Sequence, residues 1–283
     1  MAETHEHMKE TAAVNPTLGL LGRKIAFSTI VQYAGKGLQL VLSALTLKLI
    51  SNFLSEHDYG LYAAIAEYAL FFSVAANLGI FAHTIRKMAD APGDGKIFFH
   101  AFFLRVSTAF GFAAIATMYL LLTSADGAFL IGASLFLGAL VLDYVTSVCD
   151  AMLQANYMMG RATIALVAGR VVNFGVVWLL VSGVAPVELF FLAPLLGGVL
   201  TAGMSLFFVR QKLKWSWRID RLFLKRFFLA GLPFGIINII NNLYFRFLPD
   251  YFAHGALTTE QFGSFNIFFR VGQVISLLST FLM

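Results

Sequence analysis

The stretch LSEHDYGLYA, residues 54–63, sets Glu56, His57 and Asp58 side by side between two long apolar runs. Two carboxylates flanking an imidazole could ligate a metal ion or relay a proton. A polytopic glycosyltransferase acting on lipid-linked sugars would also need acids on an outer loop. The same residues could equally form a short wet turn between two membrane helices. The elements on either side of them decide between these chemistries.

Those elements are far more apolar than a soluble core needs. Hydrophobic residues make up 59% of the 283, charged residues 12%, and 30 are Phe. Soluble domains sit near about 45–50% and about 25%. Runs of roughly 20 apolar residues recur, the length at which an α-helix crosses a bilayer. The expected fold class is an all-α integral membrane protein with about eight transmembrane helices, at 25–50, 60–85, 97–123, 128–149, 162–183, 187–209, 228–252 and 261–283. The lone Cys149 falls inside an apolar segment as a small buried residue, and His5 and His7 sit in a polar tail unsuited to a metal site. No metal or cofactor is implied.

Charge fixes the expected orientation. Fourteen Lys and Arg fall in the tail and in the second–third, fourth–fifth and sixth–seventh loops, and none in the alternate loops. The positive-inside rule then puts the N-terminus in the cytoplasm and the SEHD turn outside. The net charge of +5 is accounted for by loops facing anionic headgroups and is no nucleic-acid signal. The basic stretch RQKLKWSWRIDRLFLKR, 210–226, reads as an interfacial helix joining two bundles. The organisation expected is a cytoplasmic tail at 1–24, a six-helix lobe at 25–209, the linker at 210–226, and two helices of a second lobe at 227–283.

A repeat answers the opening question. LTTEQFGSFN, 257–266, aligns under LSEHDYGLYA at an offset of 203, pairing Ser55 with Thr258, Tyr59 with Phe262, Gly60 with Gly263 and Tyr62 with Phe265. Both turns follow a long apolar helix and open the next one. Ser55 or Thr258 suits a helix N-cap, and Glu56 or Glu260 favours the helix dipole. Thr259 and Gln261 stand where Glu56 and Asp58 would recur, so a capped turn explains both copies and an acid–base pair explains one. Both copies start from the same side, so the repeat is parallel.

Residues 22–80, GRKIAFSTIVQYAGKGLQLVLSALTLKLISNFLSEHDYGLYAAIAEYALFFSVAANLGI, resemble the first two helices of the multidrug/oligosaccharidyl-lipid/polysaccharide (MOP) exporter superfamily, most of all its Wzx-type polysaccharide or O-antigen flippase branch. Residues 228–275 resemble the helix pair that opens its second lobe, and DAMLQANYMMGRA its polar fourth-to-fifth region. The resemblance implies a two-lobed transporter of the inner (plasma) membrane, with no bond breaking, a lipid-diphosphate-linked anionic glycan as cargo, and membrane lipids and glycan-assembly enzymes as partners. A drug/cation antiporter or a lipid II flippase of the same superfamily is the alternative. Members carry about twelve to fourteen helices. A chain ending inside its eighth is therefore expected to be a piece of a longer product.

Six basic residues remain outside the loops: Lys36, Lys48, Arg105, Arg170, Arg246 and Arg270. Lys48 and Arg105 are expected to snorkel towards the interfaces. Lys36, Arg170, Arg246 and Arg270 fall nearer mid-span, where each costs about 2.5–3.5 kcal/mol on an insertion scale. They are the candidate cationic lining of a substrate cavity. Glu67, Asp143 and Asp250 are the candidate ion-coupling acids, with Arg246 and Asp250 at i, i+4 on one helix. Pro249 can kink that helix, whereas Pro233 is expected near a helix start, where proline is cheap.

Overall fold

A computed structural model describes residues 16–77, 84–88, 94–123, 126–211, 220–242 and, near the end, 257–258, 261–262, 264–265, 267–268 and 272. Among these there is no strand. The long helices are α1 (Pro16–Phe53), α2 (Glu56–Asn77), α3 (Gly95–Leu122), α4 (Gly127–Ala155), α5 (Met159–Ser182), α6 (Leu192–Arg210, entered through a 3₁₀ turn at Val187–Phe191) and α7 (Arg221–Asn242). α3, α4, α5, the 3₁₀–α6 unit and α7 are each long and apolar enough to span a bilayer. The chain is an all-α, multi-pass membrane protein.

Local chemistry sets the boundaries. Pro16 opens α1, where its missing amide proton would have been unpaired in any case. Asp94 caps α3 by accepting from the Lys96 amide at 2.8 Å. The turns after α4 and α5 both put a non-glycine residue in the left-handed region, Tyr157 at φ 55° and Val184 at φ 51°. Each is held by a long back-bond, Met158 N to Leu153 O at 2.8 Å and Ala185 N to Leu180 O at 3.1 Å. These are Schellman closures, which satisfy helix-end carbonyls.

Water cannot drive helix association inside a bilayer, so close backbone approach matters. A Cβ placed on Gly169 of α5 would lie 1.8 Å from the Thr201 hydroxyl oxygen and 2.7 Å from the Gly197 carbonyl of α6. One placed on Gly197 would lie 2.6 Å from the Gly169 carbonyl. Gly35 of α1 sits as tightly against Thr163 of α5. These seams order α1, α5 and α6 side by side, while α2, α3 and α4 pack around Ile65, Ala69, Ala116 and Leu137.

α7 starts earlier than its apolar run suggests. It begins at Arg221, so Pro233 lies inside the helix and not near its start as expected. There its missing amide proton leaves the carbonyl of Leu229 without its helical partner. The first turns of α7 are held by Phe223, Leu224 and Phe227, which join an apolar cluster that includes residues of α3 and α4. That burial outweighs the polarity of Lys225 and Arg226, which remain exposed.

Gly169→Val is expected to destabilise the fold by at least about 1–3 kcal/mol through overpacking. Gly203→Ala, where a Cβ meets nothing within 4 Å, is expected to be neutral. Unfolding midpoints of the two variants in detergent check this, and equal midpoints contradict the seam.

Candidate functional site

The membrane-depth charges sort into two environments. Arg105 of α3 is 4% exposed, and its guanidinium lies 4.8 Å from the centroid of the Tyr144 ring of α4. The Tyr144 hydroxyl donates to the Ser73 carbonyl of α2. Arg105 therefore does not snorkel: its charge rests on an aromatic face inside the lobe, a stabilising arrangement once water is removed. Arg170 of α5 is exposed instead, and its charge acts on Asp143 of α4. Asp150, seven residues after Asp143 and so on the same helix face, senses the Asp143 charge. Neighbours Asp143 and Tyr144 thus point two ways, one to an open surface and one into the core.

Lys36 is exposed on α1, and Glu67 is half-buried on α2 with one carboxylate oxygen enclosed. Arg246, Asp250 and Arg270, with the Arg246–Asp250 spacing, lie outside the described residues. Of the seven candidate residues, Arg170 and Asp143 stand on neighbouring helices, close enough for the Arg170 charge to be felt at Asp143.

The two repeat turns share more than sequence. The Ser55 hydroxyl accepts from the Asp58 amide at 3.1 Å and donates to the Asp58 carboxylate at 2.8 Å. The Thr258 hydroxyl accepts from the Gln261 amide at 3.3 Å, and the Gln261 side chain accepts from the Thr258 amide at 3.1 Å. Both are capping arrangements with the partner at the third helical position. Asp58 and Gln261 therefore stand at the same position of the cap, Asp58 holding the Ser55 hydroxyl and Gln261 the Thr258 amide, a likeness that a search for matching acids overlooks. A search for S/T-x-x-D/Q would have found it. Glu56 and His57 are exposed. The repeat-equivalent aromatics Tyr59, Tyr62, Phe262 and Phe265 then meet in one cluster with Ile50, Val177 and Phe190.

At the opposite, basic face, α7 is tied to α3. The His100 ring sits between the Lys96 carbonyl, 2.6 Å from Nδ1, and the Asp220 amide, which donates to Nε2 over 2.8 Å. Nε2 accepts, so the proton is on Nδ1. The Lys96 ammonium reaches the Asp220 carboxylate at 3.4 Å and lies 5.4 Å from the Phe223 ring centroid. Asp220 also caps α7, accepting from the amides of Leu222 and Phe223 at 3.1 Å each. The Phe223 amide, and after it Lys96, hold the Asp220 carboxyl below the usual carboxylate range.

Residues 21–283 match the family model described as "Polysaccharide biosynthesis protein". The chain belongs to that family. Among curated proteins none matches it. Two solved structures share its fold. One is an outward-facing multidrug resistance MATE family transporter of the MOP superfamily, 16% identical, with a TM-score of 0.63 over 90% of this chain and 60% of that one. The other is a MOP superfamily transporter from Pyrococcus furiosus, described by the reversed polarity of its binding pocket. It is 17% identical, with a TM-score of 0.60 over 78% of this chain and 54% of that one. The chain spans somewhat more than half the length of these transporters.

In this polysaccharide biosynthesis family member, the Arg105–Tyr144 stack is expected to show a coupling of about 2 kcal/mol in a double-mutant cycle of Arg105→Met and Tyr144→Leu. Additive losses of stability would rule the stack out. A depressed carboxyl contributes in full above its unfolded value and loses that contribution as pH falls from there through its lower folded value. The ¹³C carboxyl signal of Asp220 is therefore expected to titrate below about 3.9, and a midpoint at or above that value contradicts the cap.

Proposed function

We propose that this protein carries a lipid-diphosphate-linked oligosaccharide across the inner membrane by alternating access, with its N-terminus in the cytoplasm. The observation that carries the reading is Arg170, a cation open to its surroundings at bilayer depth. Facing acyl chains it would cost about 2.5–3.5 kcal/mol. Bordering a hydrated chamber it attracts an anionic headgroup. Family membership over 21–283 supports the substrate class, and the likeness to MOP transporters supports the two-lobe mechanism.

Residue roles follow from placement. Lys36 and Arg170 bind the diphosphate, joined by Arg246 and Arg270 from the second lobe. Asp143 sets the charge Arg170 presents and is the first candidate for coupling to an ion, with Glu67 and Asp250 behind it. No bond is broken, so the protein is no enzyme, and membrane lipids and glycan-assembly enzymes are its natural neighbours. The multidrug likeness favours a second reading, a drug/cation antiporter.

In proteoliposomes, Arg170→Gln is expected to lower transport of a lipid-diphosphate oligosaccharide at least about tenfold, on the scale of one lost charge-assisted contact. Glu56→Gln with Asp58→Asn, which removes both acids and keeps the cap, is expected to leave it unchanged. Uptake of an organic cation in place of the lipid would select the antiporter. Loss on removing the two acids would select a glycosyltransferase.

A further inference from the structure

One side of α6 is notched. Gly203 stands between Val199 and Leu200, one turn before it, and Phe207, one turn after. A Cβ placed on Gly203 would meet nothing within 4 Å. With Met204 and Phe208 these residues line an open groove of about 430 Å³, and all six are apolar. Val199, Leu200, Gly203 and Phe207 are exposed.

The groove has a length and a direction. From Val199 to Phe208 it runs about 14 Å at about 1.5 Å per residue, roughly half the hydrocarbon thickness of about 30 Å. It therefore covers the depth of one leaflet. That leaflet is the one at the basic end of the bundle, where α6 stops at Arg210.

The basic end supplies charge. Arg210 follows Gly203 by seven residues, so it stands on the groove's side of α6, and it is exposed. Arg161, in the first turn of α5, comes in from the neighbouring helix. Its guanidinium lies 5.7 Å from the centroid of the Phe208 ring, and its Nη1 donates to Gln211 Oε1 at 3.0 Å. Ring and amide together hold the arginine at the mouth of the groove, and the Gln211 bond uses one of its five N–H donors.

A phospholipid has the complementary order of parts. Exchanging one acyl chain for another releases no water, so an apolar groove inside a bilayer discriminates little among tails. Its shape fixes where a chain lies, and the polar end decides which lipid stays. Guanidinium binds phosphate through charge-assisted, bidentate hydrogen bonds. A zwitterionic headgroup brings a cation of its own, which two arginines repel.

We propose that the Val199–Phe208 groove of α6 holds one acyl chain of an anionic phospholipid, whose phosphate sits between Arg161 and Arg210 and clips α5 to α6. The site does not depend on what the protein carries, so it stands apart from the transport reading.

Native mass spectrometry of the full chain in detergent tests it, with phosphatidylglycerol and phosphatidylcholine titrated separately. At about fivefold per arginine, the wild type is expected to hold phosphatidylglycerol at least about tenfold more tightly. Arg161→Gln/Arg210→Gln is expected to bring that preference below about twofold. Gly203→Leu, which fills the notch and keeps both arginines, is expected to weaken phosphatidylglycerol binding at least about fivefold as the chain loses its bed. Equal binding of the two lipids by the wild type, or an undiminished preference in the arginine variant, overturns the headgroup site. Unchanged binding in Gly203→Leu overturns the groove. Displacement of the phosphatidylglycerol by an equimolar lipid diphosphate would assign the groove to the cargo's tail, and an unfolding midpoint lowered by Gly203→Leu in lipid-free detergent would assign it to another segment of the chain. Either result overturns the proposal.

Discussion

A charge or hydrogen-bonding group inside hydrocarbon must find a protein partner or a water-filled space, and the architecture of this chain follows from how each one does so. Arg105 and Arg170 solve the problem in opposite ways. Arg105 gives up water for the face of Tyr144, whose hydroxyl is anchored on the Ser73 carbonyl. That binds α2, α3 and α4 into one unit. Arg170 keeps an open surface and shares a field with Asp143. The first is a structural cation, and the second is left open to its surroundings. One helix, α4, supplies the partner of each from adjacent positions, because consecutive helical residues point about 100° apart.

Packing within the lobe depends on small residues for the same reason. Without a hydrophobic drive between helices, dispersion and weak polar contacts hold them, and both require close approach. The Gly169–Gly197 seam and the Gly35–Thr163 contact leave no room for another carbon. They hold α1 against α5 and α5 against α6 over long stretches, so α1 and the charge of Arg170 keep a fixed relation. At the two ends of the bundle the logic changes. The basic face is closed by the Lys96–His100–Asp220 tie and the phenylalanines of α7. At the far face, aromatic residues from both repeat turns pack together. Residues after 220 thus join the earlier helices at both ends of the bundle.

Much of this was legible from residue order. Membrane class, helical content and the approximate positions of the first six helices follow from apolar runs, because hydrocarbon leaves a spanning segment almost no alternative to the helix. The repeated turn was legible too, since both copies cap a helix with a hydroxyl residue at the same position. Where α7 begins was not. Its first turn is too basic to read as a span, and it forms because Phe223 and Phe227 find an apolar surface on α3 and α4. Pro233 consequently sits within the helix and not at its start. Arg105 was misplaced for a related reason: its distance from the helix end permits snorkelling, but only the packed lobe shows Tyr144 waiting beneath it.

By itself, then, the order of residues determined what the bilayer imposes: which segments are apolar enough to cross, that Thr29, Gln32, Lys36, Gln39, Ser43 and Thr46 of α1 share one face, and that Ser55 and Thr258 open equivalent helices. Tertiary structure decided which polar groups face one another. Arg105 with Tyr144, and Asp220 with His100 and Lys96, are contacts between residues 39 and more than 100 positions apart. Helical periodicity determines the face a side chain occupies on its own helix. The facing helix is selected only when glycine seams and aromatic clusters bring distant segments into contact.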